Sequence, residues 1–149
     1  MRHGTLTGYK KLGCRCEACT KANNRHANRW RLDRYRGIER MTPVQGSQRR
    51  LQALCYMGWT CQTLAERTGI SRGRLQHILA GVNPQVWVST ADKIAALYDE
   101  LAMIPGPSRR GAQAAKAKGW VSCMAWDDID TDRAPNGYGY KHRPNRRGN

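Results

Sequence analysis

The stretch Cys61–Ala80, CQTLAERTGISRGRLQHILA, decides how the chain is read. Counting Cys61 as the first position, the small Ala65 is the fifth and Gly69 the ninth, where a tight turn between helices needs positive φ. Leu64, Ile70, Leu75 and Ile78 take the fourth, tenth, fifteenth and eighteenth positions, the apolar ones that hold two short helices together. Thr60 and Ser71 stand where N-caps belong, and Gly81 where a C′ glycine ends the second helix. The pattern predicts a helix-turn-helix. The second helix of such a motif projects into the major groove of DNA.

Working outward, Gln48–Gly58 predicts a helix with Leu51, Leu54 and Cys55 on one face. Ser89 with Asp92 makes a capping-box-like start to a further helix that buries Ile94, Leu97, Tyr98 and Leu101. Val82–Val88 is a loop or a short extended piece. On the second helix of the motif, Ser71, Arg72, Gly73, Gln76, His77 and Ala80 are expected on the outer face. Arg72 can take guanine O6 and N7 in a bidentate contact, and Gln76 adenine N6 and N7. Gly73 lets the backbone approach closely, Arg74 points sideways towards a phosphate, and His77 suits a phosphate or water contact better than a base. The run LAERTGISRGRLQHILAG followed by STADKIAALYDEL resembles lambda-repressor-like DNA-binding domains, over residues 47–104. That resemblance implies a fold and DNA binding. It does not imply a biological role, because such domains serve repressors, activators, antitoxins and recombination accessory factors alike.

Charge points to the same partner. The 149 residues carry 26 Lys and Arg against 11 Asp and Glu, net +15, which favours a polyanion. The excess is +8 over residues 1–45, +2 over 46–104 and +5 over 105–149. Basic flanks suit phosphates, and a nearly neutral centre suits base edges. With 40% hydrophobic residues, no Phe and a mean hydropathy of −0.75, the chain can bury one modest core. No apolar run approaches the ~18–20 residues of a membrane span, and MRHGTLTGYKK lacks the apolar region of a signal peptide. A cytoplasmic protein is expected, in which six cysteines serve as metal ligands or buried thiols rather than disulfides.

Three of those cysteines, Cys14, Cys16 and Cys19, lie within six residues. A C-x-C pair does not easily close an unstrained disulfide, and clustered thiolates repel unless a cation holds them. A structural zinc with Cys₃His ligands fits, His3 or His26 being the fourth ligand, with His3 favoured. The knuckle and the helix after it resemble the HGT…GCRCxxC element of small helix-turn-helix proteins of actinobacteria and their phages. The later WDDID segment shares that likeness, which also favours His3. After the knuckle, Lys21, Arg25, Arg29 and Arg36 fall near one helical stripe, the form of a phosphate-tracking element.

The expected protein is mainly α. Residues 1–40 form a zinc knuckle and basic helix, 47–104 a lambda-repressor-like domain, and 105–149 a basic and acidic segment with a partly disordered tail from Arg133. MTPVQG (41–46) and PGPSRRG (105–111) read as linkers. In and just before CMAWDDIDTD, Trp120, Met124, Trp126 and Ile129 are expected to pack while Asp127, Asp128, Asp130 and Asp132 face basic residues or a partner. Cys55, Cys61 and Cys123 read as buried small hydrophobes. The expected function is non-enzymatic: a regulator of transcription that binds double-stranded DNA. Two other readings stand beside it. One is an adaptor for RNA polymerase or another host protein. The other is a nuclease or recombination accessory factor using the clustered carboxylates.

Overall fold

A computed structural model describes residues 2–136, and its chain divides into two units, Met1–Arg40 and one that begins at Met41. The described residues are mainly helical, with seven α-helices, two three-residue strands and one 3₁₀ turn.

The first unit holds α1 (Leu6–Lys10) and α2 (Glu17–Tyr35). Thr5 caps α1, its hydroxyl accepting from the Gly8 N–H at 3.0 Å. Gly8 is where the two helices close up: a Cβ there would lie 3.0 Å from the Cys19 sulfur. Beyond its Arg36 cap, α2 ends at Gly37 (φ +69). The Gly37 N–H donates to the Arg34 carbonyl and the Ile38 N–H to that of Asp33, which makes a Schellman motif. Asp33 is buried and paired with Arg40. Cys19 is the one buried apolar side chain among the described residues of this unit.

The second unit is built on α3 (Val44–Tyr56), α4 (Cys61–Thr68), α5 (Arg72–Ala80), α6 (Val88–Leu101) and α7 (Arg109–Ala117). Strands β1 (Met41–Pro43) and β2 (Gln85–Trp87) pair antiparallel, with Thr42 opposite Val86. Its core gathers Leu51 and Leu54 from α3, Leu64 from α4, Ile70 from the turn, Leu75 and Ile78 from α5, and Ile94, Leu97 and Leu101 from α6. These are the residues that helical spacing selects, and Trp59 and Val86 complete the set. Trp59 is placed there because its indole N–H finds the Ile104 carbonyl at 3.0 Å.

Five local expectations are corrected. Residues 41–46 are not a linker. Met41–Pro43 pairs with β2, and α3 runs on from Val44 through Gly46, which is buried because a Cβ would meet the Asp130 carboxylate at 1.9 Å. Ser89 does not cap α6, because β2 runs straight into the helix with Trp87 as its cap residue. Residues 105–111 are packed rather than tethering. A Cβ on Gly106 would lie 2.4 Å from the Gly58 carbonyl carbon, the Gly106 N–H donates to Met57, and Ser108 caps α7. The segment after α7 is docked on α3, the packing expected of Trp126 and of an acid facing a basic residue. The Arg49 guanidinium lies 4.1 Å from the centre of the Trp126 ring and donates to the Ile129 carbonyl, while Arg50 holds Asp130 through two hydrogen bonds of 2.7 and 2.8 Å. Met124 is exposed instead of packed, and Ala125 is the fully buried residue of its 3₁₀ turn (Cys123–Ala125). Disorder was expected from Arg133. The Asn136 N–H, however, donates to the Ala125 carbonyl at 2.7 Å, and residues 137–149 lie outside the described residues.

Candidate metal centre and nucleic-acid interface

In the first unit, His3 precedes α1, Cys14 follows it, Cys16 is the N-cap residue of α2 and Cys19 sits in the first turn of α2. Folding α1 back onto α2 brings their four ligand atoms within 4.8 Å of one another. The His3 Nδ1 is 3.4 Å from the Cys14 sulfur and 3.5 Å from that of Cys16. The cysteines are free, with no disulfide among them. His26, the other candidate, is engaged elsewhere: its Nε2 accepts from the Trp30 indole N–H at 2.9 Å.

The thiols influence one another. Burial raises the Cys19 thiol, but the backbone N–H groups of Thr5 and Gly4 and the two neighbouring thiols outweigh it, so its pKa falls to about 7. The Gly4 N–H lies 3.3 Å from that sulfur. Cys14 moves the other way. The Cys16 N–H favours its thiolate, yet the Cys16 and Cys19 thiols and burial prevail and raise its pKa. One thiolate is welcome and three are not, unless a cation shares the site. The group can therefore hold a metal ion, and it is the only such His, Cys, Asp and Glu cluster among the described residues.

The basic stripe lies along the same unit. Lys21, Arg25 and Arg29 are exposed on α2 and Arg36 is its C-cap residue, with Lys21 also paired to Glu17 at 2.5 Å.

In the second unit, α4 and α5 meet at a turn that the sequence dictates. Thr60 caps α4, Gly69 ends it in the left-handed region (φ +70), Ile70 drops into the core and the Ser71 hydroxyl caps α5 by accepting from the Arg74 N–H. With Leu75 and Ile78 buried beneath, Ser71, Arg72, Gly73, Arg74, Gln76 and His77 all stand exposed on the outer face of α5. No other atom lies within 4 Å of where a Gly73 Cβ would be, so the helix backbone is open to close approach there.

Comparison with known protein families, curated proteins and solved structures finds no match.

Two grooves flank the exposed ridge of α5. One, of about 690 Å³, runs between Ser71, Arg74 and His77 and the ribbon residues Asn83, Gln85 and Trp87. The other, of about 540 Å³, runs between Gln76 and Ala80 and the residues Ala114 and Lys118. Sequence reasoning missed the ribbon face, and its one signal was Val86 and Val88 alternating about Trp87. The acidic segment closes on itself. The Asp132 carboxylate accepts from the Asp127 and Asp128 N–H groups, Asp128 accepts from those of Asp130 and Thr131, and Asp130 serves Arg50. No helix among the described residues is long and apolar enough to cross a membrane.

Proposed function

We propose that the chain is a sequence-specific DNA-binding protein, a regulator of transcription that reads bases with α5 of a lambda-repressor-like helix-turn-helix. One observation carries this reading. The side chains expected to address base edges, Ser71 at the N-cap and Arg72 and Gln76 on α5, are all exposed, and that helix is fixed from beneath by Leu75 and Ile78. A reading head must be rigid and uncovered together, because its contacts must be held in geometry before they can discriminate bases. The grooves on either side leave room for the walls of a major groove. Arg74, Lys118 and the Lys21–Arg36 stripe supply phosphate contacts.

Zinc is the ion proposed for the first unit, in a structural role. Zn–S bonds of about 2.3 Å and a Zn–N bond of about 2.0 Å at tetrahedral angles separate sulfur from nitrogen by about 3.5 Å. The His3 Nδ1 distances of 3.4 and 3.5 Å to Cys14 and Cys16 fit that figure. Four protein ligands close the shell and leave no position for a reacting water.

The test is binding of the full-length protein to fragments of the genome that encodes it, at physiological salt with excess competitor DNA. One short motif should be enriched, and Arg72→Ala should weaken that site by about 1–3 kcal/mol. Uniform, steeply salt-dependent binding that Arg72→Ala leaves unchanged would refute base reading by α5. The adaptor for RNA polymerase or another host protein would then take precedence.

A further inference from the structure

Cys55, Cys61 and Cys123 read as buried small hydrophobes in the sequence, which holds for Cys55 but not for Cys61 or Cys123, both partly exposed. Cys55 is buried in the last turn of α3, whereas Cys61 is partly exposed as the first residue of α4. The corner between them is tight. Gly58 adopts φ +98, the Trp59 N–H turns back to the Leu54 carbonyl at 3.1 Å, and Thr60 caps α4. Both cysteines therefore face one groove, shared with Gln76, Lys118 and Trp120. Cys61 stands at the positive end of an eight-residue helix, with the charges of Arg72 and Lys118 acting on its sulfur. An N-terminal helical position next to cations is where a thiolate is favoured, and a second thiol, Cys55, lines the same groove.

We propose that Cys61 and Cys55 form a peroxide-reacting pair, in which Cys61 attacks and Cys55 resolves. The Cys61 thiolate attacks one oxygen of a hydroperoxide. An S–O bond forms, the O–O bond breaks, and the departing oxygen takes a proton from water and leaves as an alcohol or as water. Cys61 is then a sulfenic acid. The Cys55 sulfur next attacks the Cys61 sulfur; the S–S bond forms, the S–O bond breaks, and the hydroxyl leaves as water with the Cys55 proton. The two thiols supply the two electrons that reduce the peroxide.

A lowered pKa suits the attacking role of Cys61, and the rise at Cys55 comes first from the Cys61 sulfur, a cause removed once Cys61 is a sulfenic acid. The hydrogen bond from Cys55, helped by Arg72 and Lys118, lowers the Cys61 pKa to about 7 against the effect of burial. The Cys61 sulfur, together with burial, raises that of Cys55. Near pH 7 about half of Cys61 is thiolate, against about 3% of an ordinary cysteine. The lower basicity gives back part of that roughly fifteenfold gain, which leaves Cys61 about threefold faster than an ordinary thiol. The product would tie the end of α3 to the start of α4. The inference holds whether or not the chain binds DNA.

The experiment treats the metal-loaded, full-length protein with one equivalent of hydrogen peroxide, caps the remaining thiols with iodoacetamide and maps tryptic peptides. Both cysteines fall on one peptide, Leu51–Arg67. It should appear two hydrogens lighter and uncapped, and it should accumulate ahead of oxidised Cys123. Cys55→Ser should stop the reaction at a sulfenic acid on Cys61 that dimedone traps, and Cys61→Ser should leave Cys55 fully capped. Cys61 oxidised no faster than Cys123, oxidised without the loss of two hydrogens, or free of dimedone adduct in Cys55→Ser would each overturn the proposal.

Discussion

Stripping the metal from the first unit should unfold that unit and leave the second intact. The reasoning starts from burial. Among the described residues of Met1–Arg40, Cys19 is the sole buried apolar side chain, while Leu12, Leu32, Tyr35 and Ile38 are all exposed. Burying one cysteine contributes no more than about 2 kcal/mol, whereas a structural zinc contributes an apparent 10–16 kcal/mol in small domains. The five residues of α1 are too few to stand alone, and α2, with only three alanines and with three asparagines among its 19 residues, lacks the propensity to hold as a solitary helix. Loss of the ion should therefore be all or nothing for this unit. Chelation, or Cys19→Ser, should remove up to about a third of the α-helical far-ultraviolet signal, the share that α1 and α2 contribute. Hydrogen exchange followed by mass spectrometry should show protection lost over residues 4–35 and kept over α3 to α6. Elemental analysis should give about one zinc per chain before treatment. A metal-free protein, verified by that analysis, that still protects the amides of α1 would refute the argument that the ion holds the unit together.

Two further perturbations test the second unit. Gly46→Ala inside α3 should lack the usual gain of about 0.5–1 kcal/mol for replacing a helical glycine, because the new Cβ must displace the Asp130 carboxylate from Arg50. In an Asp130→Ala background the same change should recover that gain in denaturant unfolding, and equal effects in both backgrounds would sink the idea. The Arg50 guanidinium holds the Asp130 carboxyl below its ordinary range against a weaker opposing effect of burial. A carboxylate with a lowered folded pKa stabilises fully above its unfolded value of about 3.9, and the contribution is lost as pH falls through the folded value. The stability gap between the wild type and Asp130→Asn, read from tryptophan fluorescence, should thus be constant at neutral pH and close below about pH 4. A gap that persists at pH 2 would show that the ion pair is not its source.

What was legible in the sequence is what local spacing determines. Leu64, Ile70, Leu75 and Ile78 had to be buried together once Gly69 turned the chain, and they are. Cys14, Cys16 and Cys19 announced a shared ligand by proximity alone. Spacing could not choose firmly between His3 and His26, because that choice depends on how α1 folds back and on Trp30 taking the His26 nitrogen. The misread glycines share one cause. Gly46 and Gly106 look like punctuation, yet each is small because something distant in sequence presses on it: Asp130 in one case, the Gly58 backbone in the other. Pro43 misled for a related reason. A proline at the end of a short edge strand, just before a helix, needs no N–H and so breaks nothing.

The docked C-terminal segment changes how the charge of the chain is to be understood. As a tether, residues 105–132 would bring Arg109, Arg110, Lys116 and Lys118 to DNA only after paying the entropy of ordering them. As a packed helix with α3 beneath it, the segment holds Lys118 at the edge of the groove that Gln76 and Ala80 border. Its carboxylates do not offset that charge at the groove: Asp130 is taken by Arg50, and Asp128 and Asp132 by backbone N–H groups. The acids are thus spent on holding the segment in place. Lys118 is left fixed beside α5, where, on the proposed reading, preorganisation would lower the cost of a phosphate contact. On the proposed DNA-binding reading, α5 would then be the ridge that reads and Lys118, at the end of α7, part of the wall beside it.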